Sequence, residues 1–335
     1  MKFVFFGTSE FAAIVLGKLI AVNYIPSAVV CNPDEPVGRK QILTPPPVKR
    51  LIANDKQLMA NGGQLIEIFQ PATKSELLAI SHKLLAIKPD LGIIAAYGKI
   101  LPKEILNIPV HGFINIHGSF LPYYRGASPI QAAILNGDKE TGVTIMAVDE
   151  EIDHGPVLAY SKWLIADSDN CESLSKKLAI SGAGLLIKTI PDYISGKIKS
   201  VEQDHSKATY TKIIKKEDGK IDWSKRANEI ERITRAFYPW PSAWTIWRQE
   251  ISDKKQVNKI LKIIESEVSE ENENKIGEVF LLQHPNILEN VGVLLGVKCG
   301  EKSLIIKKLQ LEGGKILTAK EFLNGHKDFI GSVLE

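Results

Sequence analysis

Asn115 and His117 stand two residues apart in the run Phe113-Ile-Asn-Ile-His-Gly-Ser-Phe-Leu-Pro122, whose first half is otherwise apolar. A strand sends alternate side chains to one face. As a strand, this run points an amide and an imidazole the same way, just before the break made by Gly118 and a Pro-containing turn. Such a pair can polarise a carbonyl: the amide donates one hydrogen bond, and the imidazole donates another or moves a proton. The alternative is two core polar groups satisfied by backbone. Spacing alone leaves both readings open.

A third element lies downstream. Glu150-Glu151-Ile152-Asp153-His154-Gly155 gathers acids beside a glycine, directly after a strand-like segment over 142–148. Alone it reads as a polar turn. Beside the Asn–His pair it can orient the ring or an attacking water and share in proton transfer. Together these groups fit reaction at a carbonyl carbon. Ser119 lies in the right loop but has no Gly-x-Ser-x-Gly elbow around it. Direct transfer between two bound substrates is therefore expected, without a covalent intermediate on the protein.

The elements that must position these groups follow from the patterning. Strands are expected at 2–6, 28–31, 90–95, 112–117 and 142–148. Helices are expected after Gly7, after the Pro-rich loop 32–47, over 73–86, 102–106 and 129–136, and over a long stretch at 170–194. Strands alternating with helices mean an α/β fold, a mostly parallel sheet with a Rossmann-like topology. Ligands in such sheets bind beyond the carboxyl ends of strands, and the turns at Gly7, Tyr97, Gly118 and Asp149 are assigned to that edge. Gly7-Thr8-Ser9-Glu10 is not Gly-x-Gly-x-x-Gly, so it reads as a tight strand-to-helix turn rather than a dinucleotide site. Beyond Pro241, short strands at 243–248, 260–264, 276–282, 291–297 and 302–309 suggest a small OB-like β-barrel. The expected division is 1–194 for the catalytic domain, 195–220 for a basic linker and 221–335 for the barrel domain.

Composition sets the outer limits. A chain of 335 residues is too long for one small core. Its 44% hydrophobic and 24% charged residues are ordinary for a globular protein. The net charge is only +3, yet between Lys197 and Lys262 there are 16 Lys and Arg against 9 Asp and Glu. That local excess is either a solvated basic face or a footprint for a phosphate backbone. Cys31, Cys171 and Cys299 are far apart with no Cys-x-x-Cys, so neither a disulfide framework nor a metal site is expected. The apolar opening is too short for a signal peptide, and no apolar run reaches the length of about 18 residues that spans a membrane. A cytoplasmic protein is expected. No heptad or large apolar stripe marks an interface, so a monomer is expected.

The residues also carry a resemblance. Asn115-Ile-His117-Gly-Ser-Phe-Leu-Pro-Tyr-Tyr-Arg125-Gly-Ala-Ser-Pro-Ile-Gln131, then Thr141-Gly-Val-Thr-Ile-Met146, then Asp153-x-Gly155, resemble the folate-dependent formyltransferases. Asn-x-His with a downstream Asp does not distinguish purine, sugar or tRNA acceptors. Phe5-Phe6-Gly7-Thr8, Gly38-Arg39, Pro46-Pro47-Val48-Lys49, Gln70-Pro71, Ala96-Tyr97-Gly98, Ile221-Asp222-Trp223 and Arg235-Ala-Phe-Tyr-Pro-Trp-Pro241 resemble the tRNA-acting branch, nearly end to end.

This resemblance implies transfer of formyl from 10-formyltetrahydrofolate to the methionine α-amine of initiator methionyl-tRNA. It implies catalytic roles for Asn115, His117 and Asp153. It assigns folate contacts to Tyr97, Gly98, Ser119, Phe120, Leu121 and Pro122, and tRNA contacts to Arg39 and Lys40. The basic linker and the barrel would grip phosphates. Three positions depart from the family pattern: Phe120 where Leu is usual, Glu35 where Arg is frequent, and His154 where a small residue is common. A sugar-nucleotide N-formyltransferase and a non-enzymatic RNA-binding protein are the competing readings.

Overall fold

The computed structural model describes residues 1–38, 40–54, 66–251, 255–271, 274–282 and 294–335. The chain divides into two compact units. The first holds residues 1–130, 139–165 and 173–212, and the second holds 131–138, 166–172 and 213–335.

The first unit is built on a seven-stranded sheet. In spatial order its strands are Val157–Leu164, Glu140–Ala147, Phe113–His117, Leu91–Ala95, Phe3–Gly7, Ala28–Val30 and Glu67–Phe69. From Phe113–His117 to Glu67–Phe69 all pairs are parallel, while the two strands on the other side pair antiparallel. The mostly parallel sheet is therefore present, with an antiparallel margin. Strands Val157–Leu164 and Glu67–Phe69 lie outside the sequence expectation. Each is an edge strand, the first only partly buried and the second three residues long, so neither has a clean pattern. The helix expected over 73–86 breaks at Ile80 into Lys74–Ala79 and Ser81–Ile87, with Leu77 and Leu84 both still buried.

Alternation on the strand Phe113–His117 decides what faces what. Ile114 and Ile116 are buried, and Ile116 meets the long helix Cys171–Ile194 at Gly182. An added Cβ on Gly182 would lie 2.9 Å from Ile116 and 3.0 Å from Val143. The glycine lets the helix approach closely, as dense core packing requires. Phe113, Asn115 and His117 take the opposite face.

One edge assignment is corrected. His117 pairs with Thr144 and Ile114 with Ala147. The strand Glu140–Ala147 thus runs back along its neighbour, and Asp149 leaves at the opposite end from Gly118. A run of apolar residues carries no sign of direction, so the sequence could not reveal this reversal. Residues 148–156 then fold back as a loop, in which Gly155 sits against the Ala147 carbonyl.

The second unit carries a curled antiparallel sheet. Its strands run in the order Ala243–Ile251, Lys255–Ser269, Ser303–Leu311, Leu294–Lys298, Val279–Leu282, with Leu317–Thr318 paired to Ser303–Leu311. All five strands expected from the sequence have counterparts here. Residues 333–335 reach both margins of this sheet. Leu334 bridges Trp247, Val333 bridges Glu278, and Glu335 exchanges backbone hydrogen bonds with Ile246. The core packs Trp247 edge-on against Phe329 and Phe322, beneath the helices Ala227–Ala236 and Ala319–Gly325. The second helix is absent from the sequence expectation, although Thr318-x-x-Glu321 is a capping box whose two halves are both made. No described helix is long and apolar enough to cross a membrane.

The register of the strand Phe113–His117 rests on a glycine. Gly92 pairs with Phe113, and a Cβ there would lie 2.3 Å from the Phe113 ring. Gly92→Ala should cost about 1–3 kcal/mol through overpacking, read as a lower urea midpoint. Adding Phe113→Leu should recover part of that loss, and an unshifted midpoint in the single variant would contradict the packing.

Candidate active site

Asn115, His117 and Asp153 meet on the face of the strand Phe113–His117 that the long helix leaves open. Asp153 arrives from the folded-back loop. Asn115 Nδ2 donates to Asp153 Oδ1 at 3.3 Å, and His117 Nδ1 lies 3.5 Å from Asp153 Oδ2. The Gly126 N–H donates to the same Oδ2 at 2.7 Å. His117 Nε2 is 2.9 Å from the Tyr124 carbonyl, which can only accept, so that nitrogen carries a proton. The ring is therefore fixed at one nitrogen and faces the carboxylate with the other. The His117 side chain is 6% exposed and that of Asp153 14%. Asn115 has a second N–H beyond the one directed at Asp153. The arrangement can present a hydrogen-bond donor to a substrate oxygen and a carboxylate–imidazole pair for proton movement within a few ångströms of each other.

Two loops frame the trio. Thr144 Oγ1 donates to the Ser119 carbonyl at 2.7 Å and accepts from the Leu121 N–H at 3.2 Å, pinning the turn 119–122 to the sheet. The short strand Tyr210–Thr211 pairs parallel with Arg125–Gly126. The stretch 195–220, expected from the sequence to be a linker, thus contains ordered elements. His205–Lys207 and Lys216–Gly219 are 3-10 turns, and the part up to Lys212 belongs to the first unit.

The remaining sequence-derived positions divide. Gly98 is exposed at φ +83°, beyond the strand Leu91–Ala95, whose Ala95 pairs with Ile116. Phe120, Leu121 and Pro122 are half-buried. The Phe120 ring lies over Gly142 and edge-on to Tyr160, with centroids 6.1 Å apart. Tyr97 and Ser119 offer less than expected. The Tyr97 ring is 2% exposed, turned into the core against Phe6, so only its backbone remains at the sheet edge. The Ser119 hydroxyl is fully buried and donates to the Tyr123 carbonyl at 2.6 Å. Lys40 is exposed, while Arg39 lies outside the described residues. Glu35 is exposed on the short strand Glu35–Val37.

Lys49 and Gln70, which belong to two separate family motifs, meet each other. Lys49 Nζ donates to Asp34 at 2.8 Å and to Gln70 Oε1 at 2.7 Å, and Gln70 Nε2 donates to the Asn32 carbonyl at 2.9 Å. These bonds tie the loops after two neighbouring strands. The hydrogen bond from Lys49, and then that from Gln70, hold the Asp34 carboxyl below its ordinary value.

Sequence reasoning missed Gln203 and His205 and gave Arg125 no role beyond its place in the family motif. Gln203 bridges Asp153, Gly155 and Arg125. No local signal could have found it, because a lone Gln in a polar Lys-rich stretch has the pattern of a solvated one.

Among the described residues no group of three or more His, Cys, Asp or Glu is placed to hold a metal ion. The cysteines are also removed from the chemistry. Burial pushes Cys31 up to about 11 and Cys171 and Cys299 up to about 12. The thiolate is the reactive form, so all three stay inert near neutrality. A disulfide reagent at pH 8 should find no fast-reacting thiol in the native protein, and three once it is unfolded.

In a mostly parallel sheet, an Asn-x-His strand meets an Asp from a following loop, the constellation by which the sequence resembles the folate-dependent formyltransferases. Residues 1–190 match the family described as formyl transferase, and residues 213–327 match its C-terminal domain. The chain is 40% identical over 337 residues to the methionyl-tRNA formyltransferase of Halalkalibacterium halodurans, covering 100% of this chain and 98% of the relative. It is 41% identical to the methionyl-tRNA formyltransferase of Caldicellulosiruptor saccharolyticus, covering 100% of both. Among solved structures it is similar to WlaRD, a sugar 3N-formyl transferase in the presence of dTDP and 5-N-formyl-THF. That likeness has a TM-score of 0.58 at 20% identity, over 91% of this chain and 97% of the other, and concerns the fold. This chain belongs to the methionyl-tRNA formyltransferase family.

Proposed function

We propose that this chain transfers a formyl group from 10-formyltetrahydrofolate to the α-amine of methionine on initiator tRNA, for translation initiation. The observation that carries the reading is the Asp153 carboxylate, which faces the Asn115 amide and the His117 ring at once. End-to-end identity with relatives named methionyl-tRNA formyltransferase supports the acceptor. The 5-N-formyl-THF present with the structural neighbour WlaRD supports the donor class.

The residues present suit such a donor. Gly98 leaves its backbone open at the sheet edge, Phe120, Leu121 and Pro122 offer partly exposed apolar surface, and Asn115 has an uncommitted N–H. Bound there, the folate supplies an activated formyl group. Asn115 would donate its second N–H to the oxygen that gathers negative charge as the amine adds to the formyl carbon, and His117 would donate to it through Nδ1 when that nitrogen carries a proton, Nε2 being held by the Tyr124 carbonyl. Asp153 would take the proton that the amine must lose, directly or through a water, and hand it on toward the leaving nitrogen. The balance is one N–C bond formed, one N–C bond broken and one proton moved from amine to folate nitrogen. Holding both substrates against these fixed groups supplies much of the acceleration.

The second unit is read as an OB-like barrel that, with the basic residues leading into it, grips tRNA phosphates. Arg39 and Lys40 are assigned to the acceptor end. The protein is taken to work as a cytoplasmic monomer.

Formyl transfer to methionyl-tRNA tests the reading. Wild type should be active, and His117→Ala, Asn115→Ala and Asp153→Asn should each lose about a hundredfold or more in kcat. Activity on amino-sugar nucleotides but not on methionyl-tRNA would reject it. The affinity for initiator tRNA should fall steeply with salt, and Arg39→Ala should lower the log–log slope by about one. A slope unchanged in that variant would remove Arg39 from the interface.

A further inference from the structure

Gln203 is buried, 6% exposed, in a stretch of mostly exposed residues. Its amide nitrogen donates to the Asp153 carbonyl at 2.9 Å and the Gly155 carbonyl at 2.7 Å. Its amide oxygen accepts from Arg125 Nη2 at 2.7 Å and Nε at 3.2 Å. Arg125 is 1% exposed, and it also reaches the Tyr210 hydroxyl and His205 Nδ1. A guanidinium has no acceptor, so His205 Nδ1 must be the acceptor in that bond. His154 lies flat on His205, with centroids 4.1 Å apart and planes 6° apart, and its own Nδ1 bonds the Asp149 carboxylate at 2.6 Å.

These contacts surround one residue. Asp153 has φ +49°, a left-handed conformation uncommon for a residue with a Cβ and adopted more readily by Asp than by most, and the surrounding bonds hold it in place. Gln203 grips the carbonyl of Asp153 and the carbonyl two residues on. The His154–His205 stack fixes the residue between them. Arg125 precedes Gly126, whose N–H holds the Asp153 carboxylate. One amide therefore links the backbone of the acid to the side chain of the residue that precedes its donor.

We propose that Arg125 and Gln203 form a clamp that positions the Asp153 carboxylate against Asn115 and His117. Neither side chain touches the reacting atoms, so both are positioning residues. His154 becomes an anchor of the same clamp through its stack on His205. The clamp rests on the formyl-transfer reading only for its effect on rate. Its geometry can be tested without substrate.

Gln203→Glu separates the two halves of the amide. A carboxylate keeps an acceptor for Arg125 but has no N–H for the two carbonyls. In that variant kcat should fall about ten- to a hundredfold, the range that a misplacement near 1 Å produces. KM for both substrates should stay within about twofold, because binding surfaces are untouched. Hydrogen exchange at the Gly126 amide should speed up about tenfold or more while the amides of Leu91–Ala95 keep their protection. Gln203→Met, which removes both halves at similar volume, should lower kcat at least as far.

Wild-type kcat together with wild-type protection at Gly126 in Gln203→Glu would overturn the clamp. So would a loss of rate that merely tracks a loss of global protection. If wild type itself fails on methionyl-tRNA, the proposed reaction falls, and exchange at Gly126 still decides the clamp.

Discussion

A carboxylate held by two donors from different parts of the chain is the constraint on which this site depends. Asp153 accepts from the Asn115 amide and the Gly126 N–H, with the His117 ring facing the same oxygen as Gly126. These groups come from a strand, a loop and a short strand pairing. Asp153 lies 38 residues along the chain from Asn115 and 27 from Gly126, so only folding brings the carboxylate to its donors. Buried charged groups are costly unless fully hydrogen-bonded, so the carboxylate and the segments around it must be placed together.

The placement works by layers. The sheet fixes the strand Phe113–His117 between a parallel and an antiparallel neighbour. The helix Cys171–Ile194 covers the isoleucine face of that strand, with Gly182 at the close approach. That leaves the Asn–His face for chemistry. Loops 119–126 and 148–156 then cover it, held by Thr144 on one side and Gln203 on the other. Backbone at φ +42° for Ala96, +60° for Tyr124 and +49° for Asp153 gathers around this site. Left-handed residues with a Cβ persist where surrounding bonds over-determine them, and here Gly126, Gln203 and Thr209 supply such bonds.

Much of the fold is legible in the chain itself. The strand with Asn115 and His117, the short helix Lys103–Leu106, the long helix Cys171–Ile194 and five of the six strands of the second sheet all follow from apolar periodicity and turn residues. The Asn-x-His spacing points to shared orientation because strand alternation is a local property. The side chains of Tyr97 and Ser119 escape such reading for the opposite reason. Each sits in a sequence motif at the right edge, but whether a ring points to solvent or core depends on what packs beside it. For Tyr97 that neighbour is Phe6, from a distant strand. The network of Gln203, Arg125, His205 and Tyr210 joins residues about eighty apart in the chain, and such pairings leave no local pattern.

By itself the sequence determined the α/β layering, the strand that carries Asn115 and His117, their common face and the family resemblance. These rest on alternation, breakers and motif residues close together in the chain. Only the tertiary structure decided that the strand after Gly118 returns antiparallel and that the loop 148–156 folds back over the site. It also decided that Asp153 is held through Gln203 by a buried arginine. The physical reason is that strand direction and long-range hydrogen bonds are properties of the packed chain, set when non-local segments bury polar groups together.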